Sequence, residues 1–186
     1  MAKVEILAPF LLSFEGGFVN DPMDKGGATN KGVTLSTWRS VGCDKDLDGD
    51  IDIDDLRLIS DDDVISRVLK PYYWDAVKAD LIVDQSVANM IADWAYNSGA
   101  VTAAKQIQRL VGVTADGKIG TQSLSAINRL NPQTLFNSLK NARLAFLNGI
   151  VARKPDQQRF LKGWTRRVES IQYRRLVLNN GSIRQF

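Results

Sequence analysis

A chain of 186 residues, 44% hydrophobic and 24% charged, is long enough to bury a real core and has the composition of a soluble globular protein. It has no histidine and a single cysteine, Cys43, which excludes Ser-His-Asp and Cys-His catalysis, His-built zinc hydrolases, an internal disulfide and Cys-cluster zinc sites. The net charge of +3 divides unevenly, with +9 in residues 140–186 and −6 in residues 1–139. The basic section suits an anionic partner such as cell-wall polymer, a membrane surface or nucleic acid, or else forms the solvated faces of two long helices.

No apolar run approaches the length needed to span a membrane. The first residues, Met1-Ala-Lys-Val-Glu-Ile, lack the long apolar centre of a signal peptide. Val4, Leu7, Phe10, Leu11 and Phe14 recur at helical spacing, and Gly16 and Gly17 stop that helix immediately after Glu15. The following residues supply Asp21, Asp24, a second glycine pair (Gly26, Gly27) and Thr29-Asn30. A carboxylate at the end of a rigid helix, facing a glycine-rich polar loop, is one way to set an acid against a bound substrate. A plain helix stop with a solvated Glu15 is the other reading. With no imidazole in the chain, and three Glu against eighteen Asp, carboxylates lead the candidates for proton transfer.

Residues 34–41 read as a short helix capped by Thr34 and ended by Gly42. Asp44, Asp46, Asp48, Gly49, Asp50, Ile51, Asp52 and Asp55 then fall on positions 1, 3, 5, 6, 7, 8, 9 and 12 of a calcium loop. A hard cation wants six or seven oxygens, the glycine permits the sharp turn, and position 7 contributes its backbone carbonyl. Asp55 departs from the usual Glu at position 12, a shorter arm familiar from dockerin-type loops. So many carboxylates in twelve residues repel one another without a cation. The expectation is a structural Ca²⁺ held by Asp44, Asp46, Asp48, Asp50 and Asp55; a disordered acidic insertion is the alternative.

Ser60 caps a helix carrying Val64, Ile65, Val68 and Leu69 inward and stopping near Pro71. Residues 84–98 form the most apolar helix, with Val87, Met90, Ile91, Trp94 and Ala95 in one stripe and Gly99 closing it. Residues 100–111 follow, with Ala103, Ala104, Ile107 and Leu110 inward. Asp116-Gly117 marks a tight turn, residues 122–130 a short helix, and Asn131-Pro132 the start of a long helix through Leu135, Leu139, Leu144, Phe146 and Ile150. Pro155 restarts the last helix, with Phe160, Trp164, Val168, Ile171 and Leu176. No strong strand alternation is evident, although residues 16–33 could hold a small hairpin. The chain reads as mainly α and as one domain.

Residues 15–34, Glu-Gly-Gly-Phe-Val-Asn-Asp-Pro-Met-Asp-Lys-Gly-Gly-Ala-Thr-Asn-Lys-Gly-Val-Thr, closely resemble glycoside hydrolase family 108. The resemblance resumes at Asp93-Trp-Ala-Tyr-Asn-Ser-Gly99 and from Ala104 through Asp116-Gly117 to Leu124, the last resembling the peptidoglycan-binding region of that family. Family members are bacterial and phage N-acetylmuramidases, and some carry the name secretion activator. The resemblance implies a lysozyme-like helical fold with a small β-hairpin after the catalytic Glu. It divides the single domain into a hydrolase-like part, 1–95, with the calcium loop inserted at 43–56, and a peptidoglycan-binding-like helical part, 96–186.

By the same resemblance Glu15 is the catalytic acid, agreeing with its placement before the glycine pair. A glycosidase must protonate a poor alkoxide leaving group, so its acid is best sheltered among apolar groups; Phe14 and Phe18 are candidate neighbours. The Glu15, Asp24, Thr29 spacing resembles the Glu-Asp-Thr arrangement of phage-type lysozymes, in which the Asp and Thr help hold the attacking water. Asp21 is a rival for the second carboxylate, and carboxyl separation decides between retaining and inverting chemistry. Tyr96, Asn97 and Ser98, at a helix end, are candidates for lining a sugar groove, with helix capping as the alternative. Trp74 and Trp94 are of a type that stacks on sugars, although Trp94 belongs to the apolar stripe.

The expected function is hydrolysis of the β-1,4 bond between N-acetylmuramic acid and N-acetylglucosamine in peptidoglycan, with no cofactor in the chemistry. A non-catalytic peptidoglycan-binding or secretion-associated protein on the same fold is the alternative. The expected partner is the glycan strand, not nucleic acid, and the expected state is a monomer. It would be made in the cytoplasm without a signal peptide and act at the bacterial cell wall after phage-type release or non-classical export.

Overall fold

Apolar residues at helical spacing build α1 (Val4–Phe14), whose Val4, Leu7, Ala8, Phe10 and Leu11 are buried. The computed structural model describes residues 1–20 and 27–186. Beyond α1 a short antiparallel hairpin pairs β1 (Thr29–Asn30) with β2 (Val33–Thr34), and a bridge from Val19 to Thr29 ties in the preceding loop. Thr34 then caps α2 (Leu35–Val41), accepting from the Thr37 amide at 3.1 Å.

Helix α3 (Ile53–Leu58) leaves the aspartate loop. Asn30, itself buried, anchors the hairpin to it by donating Nδ2 to the Leu56 carbonyl at 2.8 Å. Ser60 and Asp63 form a capping box on α4 (Asp61–Val64), and the chain runs on through a wide π-type stretch, Ile65–Trp74. The expected stop at Pro71 does not occur. The ladder there reaches back five residues, as where the Asp75 amide donates to the Lys70 carbonyl, and the wider turn leaves room for the proline ring that would strike the carbonyl four residues back in an α-helix.

Helix α5 (Gln85–Ser98) occupies the centre, and every residue from Ser86 to Ala95 is buried. A helix with no solvated face over that length needs neighbours on several sides. They are α6 (Ala100–Leu110), α8 (Pro132–Arg153) and the π-type stretch. Burying Met90, Ile91 and Trp94 there stabilises the fold by about 1.5–3 kcal/mol for each side chain. In α6 the expected inward Leu110 is 38% exposed, and the buried position nearest the end of the helix is Gln108. Gln108 Nε2 donates to Asp116, Lys118 and Ser123, and its Oε1 accepts from the Gly117 amide at 2.9 Å. This polar knot holds the Asp116-Gly117 turn, where Gly117 has φ +85°, and leads into α7 (Thr121–Arg129).

The last helix, α9 (Gln158–Ser170), ends six residues before the expected limit. Ile171 and Leu176, both fully buried, lie in an antiparallel sheet of β3 (Ile171–Gln172), β4 (Arg175–Val177) and β5 (Ile183–Gln185). The reason is local. Arg174 has φ +62° and Gly181 φ +86°, so the chain reverses twice through left-handed backbone, the second time after Asn179-Asn180. The buried apolar residues form one connected core from Ala2 to Leu176. No described helix is long and apolar enough to cross a membrane.

Candidate active site

Glu15 takes extended backbone (φ −86°, ψ 144°) as the cap of α1, and its side chain is 19% exposed. Three elements close around it. Lys31 donates its amide to the Gly16 carbonyl at 3.1 Å, drawing the β1–β2 hairpin against the end of α1. Gly32 turns that hairpin with φ +77°, and a Cβ there would stand 2.5 Å from Glu15 Oε2 and 2.7 Å from the Tyr96 hydroxyl. Only glycine fits such a close approach. Tyr96, near the end of α5, brings its hydroxyl to the same glycine as the Glu15 carboxylate. Burial, and then the Glu15 carboxylate, push the Tyr96 phenol far above its usual range, so it remains a donor.

The third element is α9. Arg167 Nη1 lies 3.3 Å from Glu15 Oε1, while Nε reaches Asp93 Oδ1 at 2.9 Å. Arg143 Nη2 from α8 sits 2.6 Å from the other Asp93 oxygen. Asp93 is fully buried, Arg143 and Arg167 nearly so, and the charges alternate as Glu15–Arg167–Asp93–Arg143. Burial alone would raise the Asp93 carboxyl, but Arg167 and then Arg143 outweigh it and hold it below the usual carboxylate range. The rings of Phe14, Tyr96 and Phe10 surround the Arg167 guanidinium at 5.1, 5.4 and 5.8 Å.

The expected site residues distribute as follows. Thr29 lies in β1, and its backbone exchanges two 2.8 Å hydrogen bonds with Val19. Asp24 and its rival Asp21 lie outside the described residues. Tyr96 stands beside the acid at Gly32. Asn97 and Ser98 line a pocket of about 100 Å³ together with Arg143, Leu147, Ile150, Trp164 and Arg167. Phe14 is a partly buried neighbour of the site, whereas Phe18 lies under Arg57, 4.6 Å from its ring. Trp74 and Trp94 are core residues, each 1% exposed.

Sequence reasoning did not assign Gly32, Asp93, Arg143 or Arg167. A signal was present for two of them: Asp93 interrupts the apolar stripe of the most hydrophobic helix, and Arg143 falls one turn after Leu139 and one before Leu147. Charges at such positions require partners of opposite sign.

Residues 8–99 match the family described as Glycosyl hydrolase 108, and residues 102–169 match one described as Predicted Peptidoglycan domain. A solved structure titled "Structure of Brucella abortus SagA" is 32% identical, superposes with a TM-score of 0.71, and is matched over 91% of this chain and 92% of that one. The chain belongs to glycosyl hydrolase family 108. No curated protein matches. Membership gives this family 108 chain a lysozyme-like, mainly α fold and a role directed at peptidoglycan.

In the family 108 chain the aspartate loop folds back on itself. Carboxylate oxygens of Asp44, Asp46 and Asp48 gather within 4.8 Å of one another, as do those of Asp50, Asp52 and Asp55. Asp44 Oδ2 accepts from the Gly49 amide at 2.9 Å, closing the turn between positions 1 and 6. Asp55, fully buried, accepts from the Lys45 and Asp52 amides. Those hydrogen bonds hold its carboxyl below the usual range. Asp50 is pushed upward, first by Asp48 and then by burial.

Proposed function

We propose that this protein is a peptidoglycan N-acetylmuramidase in which Glu15 is the general acid. The observation that carries the proposal is the enclosure of Glu15: a helix-terminal carboxylate only partly open to solvent, paired with Arg167 and set with the Tyr96 hydroxyl against a glycine hairpin. Such fixation supplies the positioning that proton transfer to a departing oxygen needs. In its acid form Glu15 gives its proton to the glycosidic oxygen as the C–O bond breaks, and the water that then adds to the anomeric carbon passes its own proton to the Asp24 carboxylate. Asp24, with Thr29, is assigned the water. Asn97 and Ser98 are assigned to the glycan groove and Tyr96 to the acid itself.

Glu15→Gln keeps the size and most contacts of the side chain and removes its transferable proton. Release of muropeptides from purified peptidoglycan, followed by mass spectrometry, is expected to fall roughly 10²–10⁴-fold with an unchanged melting curve. Retained cleavage would end the assignment. Binding to walls without any cleavage by the wild type would favour the non-catalytic reading.

The same proposal includes a structural Ca²⁺ in the 44–55 loop. Asp44, Asp46, Asp48, Asp50 and Asp55 would hold it, Asp55 sharing oxygens that also accept backbone N–H groups. The ion would offset the repulsion within the loop and take no part in proton transfer. Through α3 and Asn30 the loop braces the hairpin beside Glu15, so calcium is expected to raise the melting temperature, and Asp44→Ala to cancel the increase. A chelator-treated protein giving neither calorimetric heat nor a melting shift would remove the ion from the account.

A further inference from the structure

Arg167 is the one cation that touches Glu15 among the described residues, and most of its donor edge is turned elsewhere. Its Nε and Nη2 both lie 2.9 Å from Asp93 Oδ1, whereas Nη1 stands 3.3 Å from Glu15 Oε1. Asp93 is held in turn. Arg143 Nη2 lies 2.6 Å from its other carboxylate oxygen and 3.4 Å from its backbone carbonyl. Asp93 comes from α5, Arg143 from α8 and Arg167 from α9, so the packing of three helices fixes the arrangement. The rings of Phe10, Phe14 and Tyr96 around the guanidinium leave it little room to turn.

An acid catalyst has to carry its proton up to the moment of transfer. A guanidinium committed wholly to Glu15 would favour the charged carboxylate and empty it of that proton. An anion on the same guanidinium works against this, by drawing the cation to itself and by opposing a second negative charge nearby. Asp93 is so placed, one guanidinium away from Glu15, and Arg143 is one carboxylate further. Burial lowers the Arg167 guanidinium, but Asp93, and after it Glu15, outweigh burial and raise it above its usual range, which ranks Asp93 as its main partner. Of the other groups facing Glu15, the Tyr96 hydroxyl keeps its proton, and Lys31 on the hairpin is paired with Asp61. Asp21, Asp24 and Lys25 lie outside the described residues.

We propose that Asp93 is a positioning residue for the acid: it holds Arg167 so that a single N–H of the guanidinium reaches Glu15. The carboxyl is thereby fixed in place and still able to keep its proton. Asp93 is fully buried and acts through Arg167. The role rests on the muramidase reading and deepens it. Arg143 acts with the opposite sign, because it is a cation and draws on Asp93 through the other oxygen.

The chain has only three glutamates, Glu5, Glu15 and Glu169. Protein carrying ¹³C-labelled glutamate therefore gives few carboxyl signals to follow against pH, and Glu15→Gln identifies that of Glu15. Asp93→Asn is expected to lower the Glu15 titration midpoint by about 1 pH unit, and to move the high-pH fall of muropeptide release down with it. Arg143→Met is expected to raise both. Asp93→Asn combined with Arg143→Met removes one charge of each sign from the core, which disturbs folding far less than stranding either charge. That double variant is expected to keep a smaller downward shift, because Asp93 is the nearer charge; a return to the wild-type midpoint would make Asp93 purely structural and overturn the proposal. A midpoint unmoved by Asp93→Asn, or moved downward by Arg143→Met, overturns it as well. In the wild type the Arg167 Nε–H signal is expected to persist while Glu15 titrates, since that N–H is donated to Asp93. Its loss as Glu15 ionises would mean that the guanidinium swings to the acid, and would defeat the proposal even if no variant folded. Carboxyl titration needs no cleavage, so muropeptide release by a protein whose midpoint ignores Asp93 defeats the positioning role alone, and a responsive midpoint without release defeats the muramidase reading alone.

Discussion

Glu15 owes its aim to atoms that could not be larger. At Gly32 an added methyl group would sit 2.5 Å from the carboxylate and adopt φ +77°. Gly32→Ala is therefore expected to lose about 1–2 kcal/mol from the left-handed backbone, which lowers the melting temperature by roughly 2–8 °C for a chain of this size. Its effect on wall cleavage should be larger, because the methyl displaces Glu15 and Tyr96 from each other; cleavage equal to wild type would contradict the close approach. Glu15 itself was singled out by the resemblance of residues 15–34 to the family, because a carboxylate before a glycine pair is on its own read equally well as a helix stop with a solvated side chain. Gly32 was not, since a glycine in a glycine-rich loop carries no mark of what it faces. Arg167 was hidden among ten other Lys/Arg residues of a basic section whose charges are indistinguishable in sequence.

Helices α5, α8 and α9 meet at a charge, not only at apolar side chains. Asp93 is ion-paired with both arginines inside the core, and removing one partner leaves charge that neither water nor protein fully compensates. Arg143→Met, close in volume and apolar, is expected to destabilise the protein by about 3–5 kcal/mol, read as a lower urea midpoint with the slope unchanged. A shift below about 1 kcal/mol would mean that Arg167 alone suffices for Asp93. At this scale most of the fold could be read in advance: caps at Thr34, Ser60 and Asn131 form as expected. The C-terminal sheet could not. Its strands are two and three residues long, too short for alternation to emerge, and Ile171 and Leu176 continue the preceding helical spacing.

Across the whole molecule, the carboxylates that matter for acid stability are those held low when folded. Asp93 is one. Asp63 is another: burial raises it, but Lys45 and Ser60 outweigh burial and bring it down to about 2. A depressed folded pKa means that the unfolded chain binds protons first, so the stabilisation is complete above the ordinary carboxylate range near pH 4 and disappears as pH falls through the folded values. Asp46 and Asp50, which are raised, act with the opposite sign. Far-UV ellipticity at fixed temperature is expected to show cooperative acid unfolding between about pH 4 and pH 2, displaced to higher pH in Asp63→Asn. A flat signal over that interval would show that these pairs carry no net stabilisation.

The guanidinium that grips Glu15 is 152 positions further along the chain. A ribosome therefore emits the acid long before it emits the clamp, and a nascent or prematurely released polypeptide carries a glutamate with nothing to steer it. The enclosure of Glu15 is therefore complete only after residue 167 has been made and has folded back onto the first helix, and a chain that stops short of α9 lacks it.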